Sequence, residues 1–556
     1  MAAAFSLVPS SRRRRSLRPL ALLGGFALAC TVLAPIAPSE ADTAPGPGEP
    51  LTITADDLPT WQTDGVVWSI ATVGDIVYVG GNFDHIRPPG TAPGDPQQQA
   101  RKNLAAFNAT TGQPLPWNPA VEGTAFTATT PQTDCDDLGN NQWVCDAVWE
   151  LKPSPDGNKL YIGGDFAKIN GEWRSKIASF DLPSGSLTTF KRAVNSRVKA
   201  LTVTDGTVYA GGYFTLVDGI ARERLAAFST ADGSMTSWAP TADRSVHAMI
   251  TTPDQSRIVL GGDFNRINGN PPHGMGAVDA ATGASTPWAT GVDYISDTRR
   301  SWVTDLVKDG NSIYASANGE GTFDGRLSLD PADGTQRWID QCLGATQALT
   351  LLDGILYSGS HAHDCSSQPD GFPDIAGQYP YQRLLAEPAN PSGDTPPILH
   401  WFPNTNGGAT TYNQGPRAMD NNGTHLWVGG DFTKVNGKNQ QGLTRFASLA
   451  ATADVNPPQL IAKPQVSKPD GTTGTLKVDW KQTWDHDNKH LKYEVIRDGT
   501  TVVHTAEADS RFWDPQTMTF TDTGLVPGSS HTYSIRAIDR FNNRVRSSES
   551  APVQAG

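Results

Sequence analysis

One phrase recurs along the chain: Tyr78-Val79-Gly80-Gly81-Asn82-Phe83, Tyr161-Ile162-Gly163-Gly164-Asp165-Phe166 and Tyr209-Ala210-Gly211-Gly212-Tyr213-Phe214. It returns as Val259-Leu260-Gly261-Gly262-Asp263-Phe264 and Trp427-Val428-Gly429-Gly430-Asp431-Phe432. Two degraded copies, around Tyr314-Ala315-Ser316-Ala317 and Tyr357-Ser358-Gly359-Ser360-His361, fill the interval between the last two. Seven copies, mostly about 50 residues apart, demand a repeat architecture in which each unit buries its apolar face against its neighbours.

Each unit reads as four short strands. The first is a Val-x-Ala-Leu-type stretch, as in Val67-Trp68-Ser69-Ile70, Val198-Lys199-Ala200-Leu201 and Val246-His247-Ala248-Met249. The Gly-Gly phrase is the second, and Leu104-Ala105-Ala106-Phe107 with its counterparts is the third. A turn with Gly112, Gly185, Gly233, Gly283 or Gly334 follows, supplying the positive φ that a tight hairpin needs. The fourth strand ends on an aromatic: Trp117, Phe190, Trp238, Trp288, Trp338 or Trp401. Paired glycines weaken a strand, so they imply a bulge or a close backbone approach. Four antiparallel strands repeated radially predict a β-propeller, and seven units predict seven blades over residues 55–450. The last unit stops at Leu443-Thr444-Arg445-Phe446, while Leu58-Pro59-Thr60-Trp61 stands unattached before the first. Pairing those two pieces would seal the ring without a long open edge.

The Gly-Gly pairs and closing Trp resemble kelch-type repeats. Gly163 through Asn170-Gly171, Gly261 through Asn268-Gly269 and Gly429 through Asn436-Gly437 more closely resemble the delta-60-type repeats of secreted actinobacterial propeller proteins. The resemblance spans roughly residues 55–450 and implies a fold, with no activity attached. After a linker at 451–458, residues 459–556 alternate as a β-sandwich does. Trp480, Tyr493, Leu525-Val526-Pro527-Gly528 and Tyr533 resemble the core aromatics and tyrosine corner of a fibronectin type III domain. That resemblance implies a spacer of the kind often joined to polysaccharide-degrading enzymes. The expected fold is therefore all-β: a seven-bladed propeller followed by an immunoglobulin-like sandwich.

A net charge of −13 argues against nucleic acid or an anionic membrane as partner. The basic run Arg12-Arg13-Arg14-Arg15 precedes an apolar stretch over 20–34 and then Ser39-Glu40-Ala41. This is the pattern of an export signal over residues 1–41, of either the general or the twin-arginine kind. Cys30 has Ala27 three residues before it, which disfavours lipid anchoring, and no later run approaches the ~20 apolar residues of a membrane span. The expected product is secreted and monomeric. It keeps Cys135, Cys145, Cys342 and Cys365, an even set that reads as two disulfides. Three pairings are open; Cys135–Cys145, closing a short loop, and Cys342–Cys365 are the expected ones. Zinc is disfavoured because no Cys-x-x-Cys occurs.

Asp165, Asp263 and Asp431 recur with the repeat and are replaced by Asn82 and Tyr213 in other copies, so they are expected to serve the scaffold. Function is sought where the repeat breaks. The insertions at 87–103, 118–145, 290–302, 361–383 and 403–414 all fall in the two loop classes that share one face, which suggests a binding surface. Candidate ligand residues there are Arg197, Asp243, Arg244, Asp297, Arg299, Arg300 and Arg417, with Asp340, His361 and His363 beside the second degraded copy. His361 and His363, two apart in an extended segment, point the same way and form a candidate metal pair with Asp364 or Asp340. Asp485-His486-Asp487-Asn488 is rich in oxygen ligands like a calcium turn but lacks a full calcium-loop spacing. No other cofactor is indicated, and no nucleophile elbow, zinc helix or phosphate loop is present. The leading expectation is a non-catalytic propeller binding glycan or cell-envelope material. The alternative is a glycoside hydrolase or lyase, which needs two carboxyl groups about 5–9.5 Å apart across a central pocket. A purely structural surface protein, with a plugged mouth, is the third.

Overall fold

The computed structural model describes residues 51–132, 134–271, 274–289, 300–319, 322–375, 381–408 and 414–556. The expected export signal, residues 1–41, lies outside the described residues. Every regular element among the described residues is a β-strand, and all ladders are antiparallel. None contains a helix long and apolar enough to cross a membrane.

Seven sheets follow one another in chain order. Their inner strands are Val66–Val73, Val148–Pro153, Val198–Val203, Val246–Thr251, Ser301–Lys308, Thr346–Leu352 and Pro416–Asn421. Each inner strand lies beside the next, and the last lies beside the first, which closes a propeller-like ring. The Gly-Gly phrase, or its degraded copy in Ile313–Gly319 and Ile355–Ala362, forms the second strand of each sheet. A Cβ on Gly80 would stand 2.7 Å from Val148 Cγ1, so the bare backbone is what lets the next inner strand pack this closely.

The closing aromatics join sheet to sheet. Trp117 meets Tyr78 and Phe180 edge-on at 5.2 and 5.0 Å, and its indole N–H donates to Gly185 O at 3.1 Å in the next sheet. Phe190 sits likewise between Tyr161 and Phe228, and Trp401 between Tyr357 and Phe446. Such edge-to-face pairs add about 0.5–1.5 kcal/mol each beyond the area they bury. At the seam, the Thr54 and Leu58 N–H groups donate to Ala447 O and Arg445 O, both at 3.0 Å. The N-terminal segment thus runs along the third strand of the last sheet, and Trp61 joins a core shared with Val67, Phe107 and Trp427.

The described residues after the ring form two larger sheets and a two-stranded one of Ser530–His531 and Val553–Gln554. One of the larger sheets carries Thr475–Lys481 and Thr517–Thr523; the other carries His490–Arg497 and Tyr533–Ile538. Trp480, Tyr493 and Tyr533 fill the core between them. This unit is not held by its connecting segment alone. Phe372 and Phe402 of the ring pack on Phe512 and Trp513 at 5.3–6.0 Å. Phe402 N–H donates to His486 O at 2.7 Å, and Arg511 pairs with Asp370 at 2.7 Å. Part of the 361–383 insertion therefore docks this unit instead of lying free for a ligand.

Candidate functional site

Every inner strand carries an irregularity at the same place. Pairing skips one residue between Val67 and Ser69, Val148 and Glu150, Val198 and Ala200, and Val246 and Ala248. It does so again between Val303 and Asp305, Thr346 and Ala348, and Pro416 and Ala418. A bulge leaves its extra residue out of the ladder and re-aims the side chain. The seven skipped residues are Trp68, Trp149, Lys199, His247, Thr304, Gln347 and Arg417, and all of them line one central cavity of about 640 Å³. The ring thus presents one variable side chain per sheet to its axis.

Aromatic rings and cations pack against one another along part of this collar. Trp68 and Trp149 stack with centroids 4.3 Å apart. The Arg197 guanidinium and the Lys199 ammonium each lie 4.2 Å from the Trp149 ring, and Arg417 lies 5.2 Å from Trp68. Asp165 orients the group from behind, accepting from Trp149 Nε1 at 2.9 Å and Arg197 Nε at 2.7 Å. Arg197 also pairs with Asp134 at 3.2 Å. Beside them stand Tyr213, whose ring lies 5.6 Å from the Arg197 guanidinium, and His247, whose ring is nearly parallel to that of Tyr213 at 5.8 Å. Burial outweighs the nearby Asp263 and pushes His247 down to about 4, so its imidazole is neutral at neutral pH. Burial, with Arg197 and Arg417 adding to it, lowers Lys199 to about 8.

Three carboxylates, Glu150, Asp305 and Asp420, also line the cavity. Asp305 accepts the Leu349 N–H at 2.9 Å, and Asp420 accepts the Thr72 N–H at 2.7 Å, each reaching the inner strand of another sheet. Ser69 Oγ receives Leu151 N–H at 3.0 Å in the same way. These groups clamp neighbouring sheets. Glu150 differs: it faces Lys152 at 3.9 Å, and burial, with Asp305 adding to it, raises it to about 7.

No family model matches the chain. No curated protein matches it either. Among 389 matching chains of solved structures is one from the "Crystal Structure of Mitotic Checkpoint Complex", 10% identical, with a TM-score of 0.40, over 72% of this chain and 97% of that one. A likeness at that level carries no argument about function.

Of the residues singled out from sequence, Arg197 and Arg417 line the cavity. Asp243 instead accepts the Asn265 and Arg266 N–H groups at 2.8 and 2.9 Å, and Arg244 is exposed beside it. Arg300 donates to Asp263 O at 2.9 Å; Asp297 and Arg299 lie outside the described residues. Asp340 is sealed in the protein, bonded to Arg326 and to the Cys342 N–H. His361 and His363 both turn an edge to Tyr381, at 5.7 and 6.2 Å, and burial lowers His361 to about 4. Asp364 accepts from Ser366 N and Oγ and lines a second cavity of about 390 Å³ with Asp324 and Leu343. No metal-ready cluster forms there or elsewhere among the described residues. Both expected disulfides, Cys135–Cys145 and Cys342–Cys365, are present.

Trp68, Trp149, Lys199, His247 and Glu150 were not among the sequence candidates. The signal for the first four was the x of Val-x-Ala-Leu, which varies from unit to unit; Glu150 stands one place after it, where other units have Ser69, Ala200 or Asp305. Asp165, read as scaffold, holds two residues of the collar in place.

Proposed function

We propose that this protein is an exported seven-bladed propeller, followed by a fibronectin type III domain, that binds the end of an acidic glycan in its central cavity without cleaving it. The observation that carries the reading is the collar, where Arg197, Lys199 and Arg417 lie over the Trp68 and Trp149 rings. Indole faces suit the apolar faces of sugar rings, and fixed cations suit a uronate or other carboxylated substituent. A cavity of about 640 Å³ has room for one or two sugar units. The export pattern and the two disulfides agree with an extracellular ligand.

The second reading, hydrolysis, is favoured by Glu150, whose raised position suits a general acid. Cleavage also needs a partner carboxylate. Asp305 and Asp420 are bonded to backbone N–H groups of other strands, as structural clamps are. Binding is therefore the reading we prefer.

The test offers the purified mature protein neutral and uronate-bearing oligosaccharides on an array, followed by calorimetry and product analysis. Binding of the acidic set, weakened in Trp149→Ala and without new reducing ends, supports the proposal. Turnover abolished by Glu150→Gln would replace it with the hydrolase reading.

A further inference from the structure

A second group of polar side chains lies away from the cavity, where the N-terminal segment, the 451–458 stretch and the C-terminal sheets meet. Asp454, Asp485 and Asp539 are 5%, 3% and 4% exposed, and Asp487 adjoins them. The Asn488 Nδ2 faces three carboxylate oxygens: Asp454 Oδ2 at 2.8 Å, Asp487 Oδ1 at 2.8 Å and Asp485 Oδ1 at 3.4 Å. An amide nitrogen carries only two hydrogens, so three carboxylates exceed what it can satisfy. Two more oxygens, Asp485 Oδ2 and Asp539 Oδ2, are enclosed and accept from no donor. Buried carboxylates without compensation are costly, and native proteins pair them or give them a cation.

As the side chains stand, the described residues hold no ready-made metal cluster, and the Asn488 nitrogen donates toward the three carboxylates. Half a turn about the soft terminal torsion of Asn488 exchanges that donor for Oδ1, so that a fourth oxygen faces the carboxylates. We propose that this junction binds a Ca²⁺ ion through Asp454, Asp485 and Asp487, with Asn488 turned to present Oδ1 and Asp539 closing the set. All the donors are oxygens on irregular backbone, which suits the flexible, oxygen-rich shell of Ca²⁺ better than the strict octahedron of Mg²⁺. The ion would also fasten the assembly. Asp487 Oδ2 accepts the Ala55 N–H beside the ring, Asn543 Nδ2 bonds Asp454 O at 3.2 Å, and Asp56 accepts the Val455 N–H at 2.8 Å.

The rival is a proton shared between Asp485 and Asp487, and direct binding separates the two. Chelator-stripped mature protein is titrated with Ca²⁺ by calorimetry and with Tb³⁺ by luminescence, using nearby Trp484 as the antenna. The expected result is one site saturating at roughly 0.1–1 mM Ca²⁺, a melting temperature that rises with Ca²⁺ and falls with chelator, and a weaker response to Mg²⁺. Asp485→Asn and Asp487→Asn relieve repulsion, so both variants should fold, and both should lose the response. No heat and no Tb³⁺ emission up to about 5 mM would overturn the proposal. So would a Ca²⁺ response that survives in both variants.

Discussion

Trp68 and Trp149 stack at 4.3 Å across the boundary between the first two sheets, and each is the residue that its strand leaves out of the ladder. The same irregularity that removes them from pairing brings their rings together at the axis. Three cations then find aromatic faces within 4.2–5.2 Å, so the collar is organised before any ligand arrives. Such preorganisation reduces the ordering cost of binding.

Trp149→Ala should weaken ligand binding by about 10–100-fold, the range of a buried aromatic anchor. It removes the stack and the indole N–H that bonds Asp165. Trp149→Phe keeps a ring but not the N–H, so its loss should be smaller. Calorimetry on both variants, with near-ultraviolet dichroism to confirm folding, checks the order. Equal losses would mean the ring itself contributes nothing.

Binding of an acidic ligand should fall in two steps as pH rises. Glu150, raised to about 7, is neutral below that pH and becomes a repelling charge above it. Lys199, lowered to about 8, loses its attracting charge above that value. Affinity is therefore highest near pH 6 and lowest near pH 9. Lys199→Met should erase the upper step, Glu150→Gln the lower, while a neutral oligosaccharide should titrate with neither. Stability has its own sign: the unfolded chain binds more protons at Lys199 than the folded one between about 8 and 10.4, so that contribution rises with pH there.

The scaffold was legible because it repeats. Gly80 and Gly429 meet the same steric demand at their respective sheet boundaries, so the sequence restates the constraint along the chain. The site was hidden for the opposite reason. Its residues come singly from seven units, and Lys199, His247 and Thr304 share a position but no chemistry. Loop length misled for a physical reason too: Phe372 makes the 361–383 insertion a docking surface for Phe512 and Trp513, and nothing local distinguishes an interface aromatic from a core one.

Arg326 is a test of buried charge. It is 0% exposed and is shared between Asp340 and Glu387, whose carboxyl is raised well above its ordinary value by burial. Arg326→Met strands both carboxylates and should cost about 3–5 kcal/mol in urea unfolding. Adding Asp340→Asn and Glu387→Gln removes the stranded charge and should recover part of that loss. No recovery would place the role of Arg326 in packing.

Cys342 and Cys365 are 23 residues apart and buried, whereas Cys135 and Cys145 are 10 apart. Loop entropy makes the longer crosslink the more stabilising, at about 2–4 kcal/mol. Replacing both cysteines of each pair in turn by alanine should lower the melting temperature more for Cys342–Cys365. The reverse order would point to native-state packing around the shorter loop.

The seam between the last and first sheets offers the sharpest test of why the glycine pairs exist. A Cβ on Gly429 would stand 2.4 Å from Val67 Cγ1 and 3.1 Å from Ile70 Cδ1, too close without movement of the inner strand. Gly437, in the same unit, has open space around it. Gly429→Ala should cost about 1–3 kcal/mol through overpacking. Val67→Ala alone should also destabilise, by leaving a void. Together they add one methyl and remove two across the seam, which relieves the Cγ1 contact and leaves Val67 Cβ at 2.8 Å, so the double variant should recover part of the summed losses. A double-mutant cycle by thermal unfolding reads that coupling directly. If the two costs simply add, close approach to Val67 is not what keeps Gly429 a glycine.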